Sequence, residues 1–296
     1  MKVQMYDLVV IGNPTFYNGR LNGPSIYTAA TAAKLDIEQM AIVSAVDPKL
    51  KDPYIKGIDA LDIPEYFIVE TKDHSAREIQ TPSFKNNEHF IGIPDKISIR
   101  DIPNEFLDAQ VILLSPSLQE IHEEFVEWIC NSTDALVYLD PQLRTLNSSG
   151  MLEFIREFSL TEKTQSYLDM IVPNQLESEL ITGESDPYLA AELIVEWASE
   201  ACVITLGDEG SLVYDGTDFI KIPAFKTESV DTHGAGAVYL AAFASQSIAG
   251  TPLVDSCVYA SCVASLKVEN QYLDFPIDKS EIRRRTNEIA SSVQSR

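Results

Sequence analysis

Asp231-Thr232-His233-Gly234-Ala235-Gly236-Ala237 stands immediately before the apolar run Val238-Tyr239-Leu240-Ala241-Ala242-Phe243. Gly234 and Gly236 free a turn from side-chain clashes, so successive backbone N–H groups can point at one spot. The positive end of a helix lies behind that spot, which makes it a natural anion site. An ordinary loop-to-helix turn has the same local pattern, so the rest of the chain must decide between them.

Three other segments carry chemistry-bearing residues. In Met170-Ile171-Val172-Pro173-Asn174-Gln175-Leu176-Glu177, a strand, a turn and a helix start follow one another within eight residues. Asn174 and Glu177 can share one face of the first helical turn. The plain alternative is an N-cap Asn with a Glu at the third helical position; the functional one is an amide and a carboxylate organising water around Mg²⁺, which keeps most of its waters. Thr205-Leu206-Gly207-Asp208-Glu209-Gly210 ends a strand with a tight turn that lets backbone approach a nucleotide, or simply opens a hairpin. Asp140-Pro141-Gln142-Leu143-Arg144 also closes a strand, and its Arg has solvent as the alternative to a ligand.

These segments need a scaffold. Tyr6–Ile11, an alanine-rich helix from about Ile26 to Leu35 and Met40–Val46 open the chain as a β-α-β unit. Strands are expected at 109–115, 135–139, 170–172 and 202–206, and helices near 118–130, 151–158, 175–181, 188–199, 235–247 and 253–268. A hairpin is expected over 211–222 and a last helix from Asp278, a good N-cap. Strands alternating with helices predict a doubly wound, mostly parallel α/β sheet, with ligands beyond the carboxyl ends of its strands. Tyr66–Glu70, Arg77–Phe84 and Glu88–Ile93, with an Asn86-Asn87 step, read instead as a small antiparallel sheet at the edge. No linker rich in Pro, Gly or Ser marks a second domain.

Composition excludes several classes. The 296-residue chain has 22 Lys+Arg against 45 Asp+Glu, a net charge of −23. Such a surface repels phosphate backbones and anionic lipid, so neither nucleic acid nor membrane is the expected partner. An anionic substrate must therefore be held by local N–H groups or cations. Cys130, Cys202, Cys257 and Cys262 lack C-x-x-C spacing and the histidines are scattered, so buried reduced thiols, no zinc site and a cytoplasmic location are expected.

Taken together, the segments resemble the ribokinase/PfkB carbohydrate kinase family. Asp231 to Ala237 resembles its D-T-x-G-A-G-D motif, Asn174 to Glu177 its N-x-x-E motif, Thr205 to Gly210 its nucleotide loop, and Asp140-Pro141 with Arg144 a weaker pattern. The similarity runs from Tyr6 to Val268. It implies one ribokinase-like domain over residues 1–296, with about 66–93 contributing to a small β-lid, and phosphoryl transfer from ATP with Mg²⁺ to a hydroxyl of a sugar, a cyclitol such as myo-inositol, or a nucleoside. A monovalent cation is a further candidate cofactor, and a monomer or homodimer is expected. By the resemblance, the N–H groups of Gly234, Ala235 and Gly236 hold the transferring group while Asp231 and Thr232 shape the loop. Asn174 and Glu177 position Mg²⁺ through water; Thr205, Gly207 and Gly210 line the nucleotide site; Asn13, Asn22, Gly23, Tyr27 and Arg144 face the acceptor.

The chain departs from the family at two places. The motif's final Asp is the general base, and position 237 is alanine; loss of a positioned base typically costs about 10² to 10⁴ in rate. An engineered Asp→Ala substitution is the favoured explanation, and a natural kinase-like metabolite-binding or regulatory protein the alternative. His233 is a poor substitute base, expected to face solvent or its own loop. At the acceptor end, Tyr27 stands where the family has Asn. Phe16, Tyr17 and Tyr27 suggest an aromatic pocket under a small lid.

Overall fold

The computed structural model describes residues 5–70, 78–81, 88–91, 97, 102–118, 120–146, 152–154, 160–197 and 201–295. In chain order the elements are β1 (Tyr6–Ile11), β2 (Thr15–Tyr17), β3 (Arg20–Asn22), α1 (Pro24–Lys34), β4 (Met40–Val46), α2 (Lys51–Ala60), β5 (Tyr66–Glu70), β6 (Glu78–Thr81), β7 (Glu88–Ile91), β8 (Ala109–Leu114), α3 (Glu123–Ser132) and β9 (Leu136–Leu139). They continue with β10 (Arg144–Leu146), β11 (Leu152–Phe154), α4 (Glu162–Gln165), β12 (Met170–Ile171), α5 (Gln175–Thr182), α6 (Pro187–Trp197), β13 (Cys202–Thr205), β14 (Ser211–Tyr214), β15 (Phe219–Ile222), α7 (Ala235–Ile248), α8 (Leu253–Val268), α9 (Lys279–Ala290) and β16 (Gln294–Ser295).

The main sheet is parallel throughout, in the order β12-β9-β8-β1-β4-β5. Residues alternate faces along a strand. Leu8 and Val10 of β1 therefore join α1, α2, α7, α8 and α9 in one apolar cluster. Val9 and Ile11 join α3 and α6 in another. Both faces are covered, as the unbroken apolar strands require. The chain runs outward from β1 through β4 to β5 and returns on the other side through β8, so the order reverses between β1 and β8. A crevice at such a reversal is where open α/β sheets bind ligands.

A second sheet, β13-β14-β15-β16, is antiparallel. It meets the main sheet where Asn174 bridges Thr205 and the Thr205 N–H donates to the Pro173 carbonyl at 2.9 Å. The fold thereby brings two distant motifs to one point. Asp278 caps α9 by accepting from the Ser280 and Glu281 N–H groups, as its position predicts. The four cysteines are free, and no described helix is long and apolar enough to cross a membrane.

The small antiparallel sheet has the order β3-β2-β7-β6, which corrects the expectation in two ways. Tyr66–Glu70 is not part of it: β5 pairs parallel with β4 in the main sheet. The intervening helix α2 makes that crossover possible despite Pro53 and Gly57. Pro53 falls in the first turn, where no backbone donor is needed, and a Cβ at Gly57 would stand 2.4 Å from Leu21 Cδ1. The missing strands come from the segment before α1, where β2 and β3 pair around Asn18 and Gly19, both with positive φ. The Asn86-Asn87 step lies outside the described residues. The helix expected over 151–158 is also corrected, since 152–154 is strand β11, antiparallel to β10.

Candidate active site

Helix α7 begins at Ala235 after Gly234, which has φ 78° and no side-chain cap. A Cβ at Gly234 would lie 2.3 Å from Tyr27 Cδ1, so only glycine lets that ring pack beneath the turn. Gly236 differs: it is exposed, and a Cβ there would meet nothing within 4 Å. Ala235 turns its N–H back to the Thr232 carbonyl at 3.2 Å, and Thr232 itself is exposed. The open part of the cradle is therefore at Gly236, where first-turn N–H groups lack intrahelical acceptors. Ala237, one residue on, is only 4% exposed and packs in the core with Tyr27.

Two contacts fix this helix start laterally. Ser211 Oγ and the Tyr239 hydroxyl lie 3.1 Å apart, setting the turn at Gly207–Gly210 against α7. On the other flank His233 Nε2 is 3.3 Å from Asn22 Oδ1, and its ring meets Tyr27 edge-on at 5.8 Å. His233 thus bridges the loop to the start of α1 rather than facing solvent, which corrects the expectation. Asn22 Oδ1 also accepts the Gly23 N–H at 2.7 Å, and the Asn22 side chain hydrogen-bonds the Tyr27 hydroxyl. Burial, then the nearby Asp231 charge, pushes that hydroxyl's pKa well up.

The acceptor-side residues are more structural than expected. Asn13 is fully buried, with Oδ1 accepting the Ala45 N–H at 2.8 Å and its carbonyl accepting from Ser25 Oγ. Gly23 has φ 104°, and a Cβ there would press on Ser117 Oγ at 2.8 Å. Phe16 and Tyr27 are buried core residues, so the aromatic pocket wall inferred from them is corrected to a packed floor.

On the Thr205 side Asn174 and Glu177 form a reciprocal capping box: Asn174 Oδ1 accepts the Glu177 N–H at 3.0 Å and Glu177 Oε2 accepts the Asn174 N–H at 2.9 Å. Glu177 Oε1 also faces the Leu143 N–H at 3.4 Å. The cap is real, and it fixes the carboxylate beside a second one. Asp140, at the end of β9, is buried, and its two carboxylate oxygens each accept from Gln142 Nε2 at 3.2 Å. Burial first, and then the Glu177 charge, raises the Asp140 pKa; burial also raises Glu177. Hydrogen bonds from Gln142 to Asp140 and from the Asn174 and Leu143 N–H groups to Glu177, and then the Arg144 charge, offset these shifts only in part. Two hard oxygen donors held this way suit a Mg²⁺ ion that keeps most of its waters. Among the described residues there is no group of three or more His, Cys, Asp or Glu that could hold a metal.

At the second-sheet edge, Gly207 has φ 62° and open space around it, while Gly210 has φ 102° and a Cβ there would stand 2.0 Å from the Ile222 carbonyl. Gly210 is thus demanded by packing, and Gly207 is free to meet a ligand.

Residues 67–280 match the model of the pfkB family carbohydrate kinases. The chain belongs to this family. Among curated relatives of this pfkB protein, the cytidine kinase of Thermococcus kodakarensis is 27% identical over 291 residues, covering 92% of this chain and 99% of the relative. Among solved structures, Thermotoga maritima ribokinase aligns with a TM-score of 0.75 at 19% identity, covering 95% of this chain and 100% of that one. A pyrophosphate-dependent kinase of the ribokinase family, solved with a pyrophosphate analogue and myo-inositol, aligns at 0.74 with 17% identity, covering 94% and 99%. The ribokinase-like fold of the chain follows.

Two residues of this pfkB site do not stand out in the sequence. Glu120 is fully buried and accepts the N–H groups of Asn13, Ser117 and Leu118 at 3.1, 2.6 and 2.8 Å, tying together the loops after β1 and β8. Burial raises its pKa against those bonds. Lys267 is a buried cation 36 positions after Asp231 in sequence. The one available signal for it is a lysine interrupting the small and apolar residues of α8.

Proposed function

We propose that this chain binds ATP with Mg²⁺ and a small polyhydroxylated acceptor, and that Ala237 makes it a slow or inactive phosphotransferase. One observation carries the reading: the open cradle at Gly236 is flanked by the Gly210–Ser211 turn through Tyr239 and by Asn22 through His233. These contacts support a donor side and an acceptor side meeting at one helix N-terminus. Thr205 and Gly207 would line the nucleotide, and Asp140, Asn174 and Glu177 would hold Mg²⁺ through water. When bound, Mg²⁺ neutralises polyphosphate charge.

The chain's own residues account for the rest. N–H groups around Gly236 stabilise negative charge on the group being transferred, and Gly234 lets Tyr27 support them from below. The methyl group of Ala237 accepts no proton, so the acceptor hydroxyl stays protonated when it should attack. The likeness to a cytidine kinase over nearly the full length supports a nucleoside acceptor, and myo-inositol or a sugar completes the range.

Isothermal calorimetry with MgATP and a panel of cytidine, ribose and myo-inositol tests this. Saturable binding of nucleotide and of one acceptor class is expected. Absence of nucleotide binding with Mg²⁺ present would overturn the reading. The alternative that Ala237 leaves open is a natural metabolite-binding protein; sequencing the native gene at that codon separates it from an engineered enzyme.

A further inference from the structure

Lys267 closes helix α8 with a side chain 0% exposed. Its Nζ donates to Asp231 Oδ2 at 2.7 Å, to the Asp231 carbonyl at 3.0 Å and to the Asn270 carbonyl at 3.4 Å. Three acceptors require three N–H donors, which the ammonium has and the neutral amine lacks. Nζ also lies 5.8 Å from the centre of the Tyr27 ring, within reach of a cation–π contact.

These contacts reach both ends of the anion loop. Asp231 begins it, and accepts the His233 and Tyr272 N–H groups at 2.9 and 3.0 Å as well. Gly234 ends it, seated on the ring that Lys267 faces. One buried cation therefore joins the loop's first carboxylate, the floor beneath its last glycine and the turn after α8.

A free monovalent cation serving this loop would need a cluster of carbonyl and carboxylate oxygens beside it. The two Asp231 oxygens and the Asn270 carbonyl form such a cluster, and the ammonium stands at its centre. The residues present do not fit a free ion there.

We propose that Lys267 is the positioning residue of the anion loop, a tethered ammonium standing where a free monovalent cation would otherwise sit, so that loop order needs no added potassium. The proposal rests on the loop being a phosphate cradle. It separates this chain from any relative that must recruit an ion to order the same turn.

The test uses the full chain with two readouts: the thermal midpoint, and pyrophosphate affinity by calorimetry with Mg²⁺ present. Both are measured in choline, potassium and ammonium chloride at constant ionic strength. The unaltered chain is expected to give the same midpoint and, within about twofold, the same affinity in all three. Lys267→Ala is expected to lose roughly tenfold or more in affinity in choline. Potassium or ammonium, small enough to enter the vacated space, should restore most of that loss. A merely structural lysine would show no such ion-specific rescue.

A parent chain whose affinity rises about tenfold with potassium would overturn the proposal, as would Lys267→Ala binding in choline as tightly as the parent. If Lys267→Ala fails to fold in every salt, the parent's ion titration decides. If the parent binds pyrophosphate in no salt, the cradle reading fails, and the ion dependence of the thermal midpoint still decides the role of Lys267.

Discussion

The Asp231–Lys267 pair and the Asp140–Glu177 pair both place charge at the edge of the protein interior, with opposite electrostatics. Asp231 has a cation built into the chain: burial raises its pKa, but the Lys267 ammonium and two backbone N–H groups outweigh this and hold it low. Asp140 and Glu177 repel each other, hydrogen bonds from Gln142, Asn174 and Leu143 and the half-buried Arg144 charge give only partial relief, and both are raised. Where the loop must keep one shape, the cation is covalently attached. Where the proposed Mg²⁺ would arrive with a nucleotide, negative charge is left unbalanced. The first site is finished by folding; on the proposed function the second would be finished by binding.

The comparison breaks most visibly in stability. Lys267→Met should destabilise by about 3 kcal/mol in urea denaturation, because a partly buried carboxylate loses its partner. The low end of the usual range applies, since the Asp231 side chain is 25% exposed. Glu177→Gln keeps the capping geometry and removes like-charge repulsion, so without Mg²⁺ it should cost nothing measurable or stabilise. Equal losses from the two substitutions would erase the distinction.

The two loop glycines offer a second contrast. Gly234→Ala places a methyl group on the Tyr27 ring at a positive φ and should cost at least about 1–2 kcal/mol. Gly236→Ala meets nothing and has better helix propensity, so stability should hold or rise by up to about 1 kcal/mol. Its methyl group enters the cradle, however, and should weaken pyrophosphate binding. Calorimetry alongside thermal melts separates the two roles.

The last contrast is in the direction of the pH dependence. Asp231 has a lowered folded-state pKa, so its stabilisation is present above the unfolded value near ~4 and is lost as pH falls through the folded one. Asp140 and Glu177 are raised, so the folded state binds their protons more tightly and stability falls as pH rises from ~4. For Asp140 that decline runs up to about 8. Mg²⁺ needs both carboxylates ionised, so its stabilising effect should grow with pH across that window. Asp140→Asn should flatten the trend, and an unchanged trend would place the raised groups elsewhere.

Three of the chemistry-bearing loops were legible as contiguous runs at the end of an apolar strand and the fourth as a glycine turn directly before an apolar helix, and Asn174, Thr205 and Gly234 lie where turns were expected. The lid was not. Asn18-Gly19 is a strong hairpin signal, yet β2 and β3 span three residues each and fall below any useful run of alternation. Helix α2 was hidden by Pro53 and Gly57, and without it Tyr66–Glu70 looked like a lid strand. His233 and Lys267 gain their roles from partners 211 and 36 positions away, separations that no local pattern encodes.

On the proposed function the cradle is complete and only the proton acceptor is missing. Ala237→Asp, assayed for ATP consumption with cytidine, ribose and myo-inositol, tests it most directly. Turnover with one acceptor class should rise by about 10² to 10⁴ over the parent chain. An Ala237→Asp chain that folds and binds MgATP, yet turns over no acceptor in the panel, would contradict it.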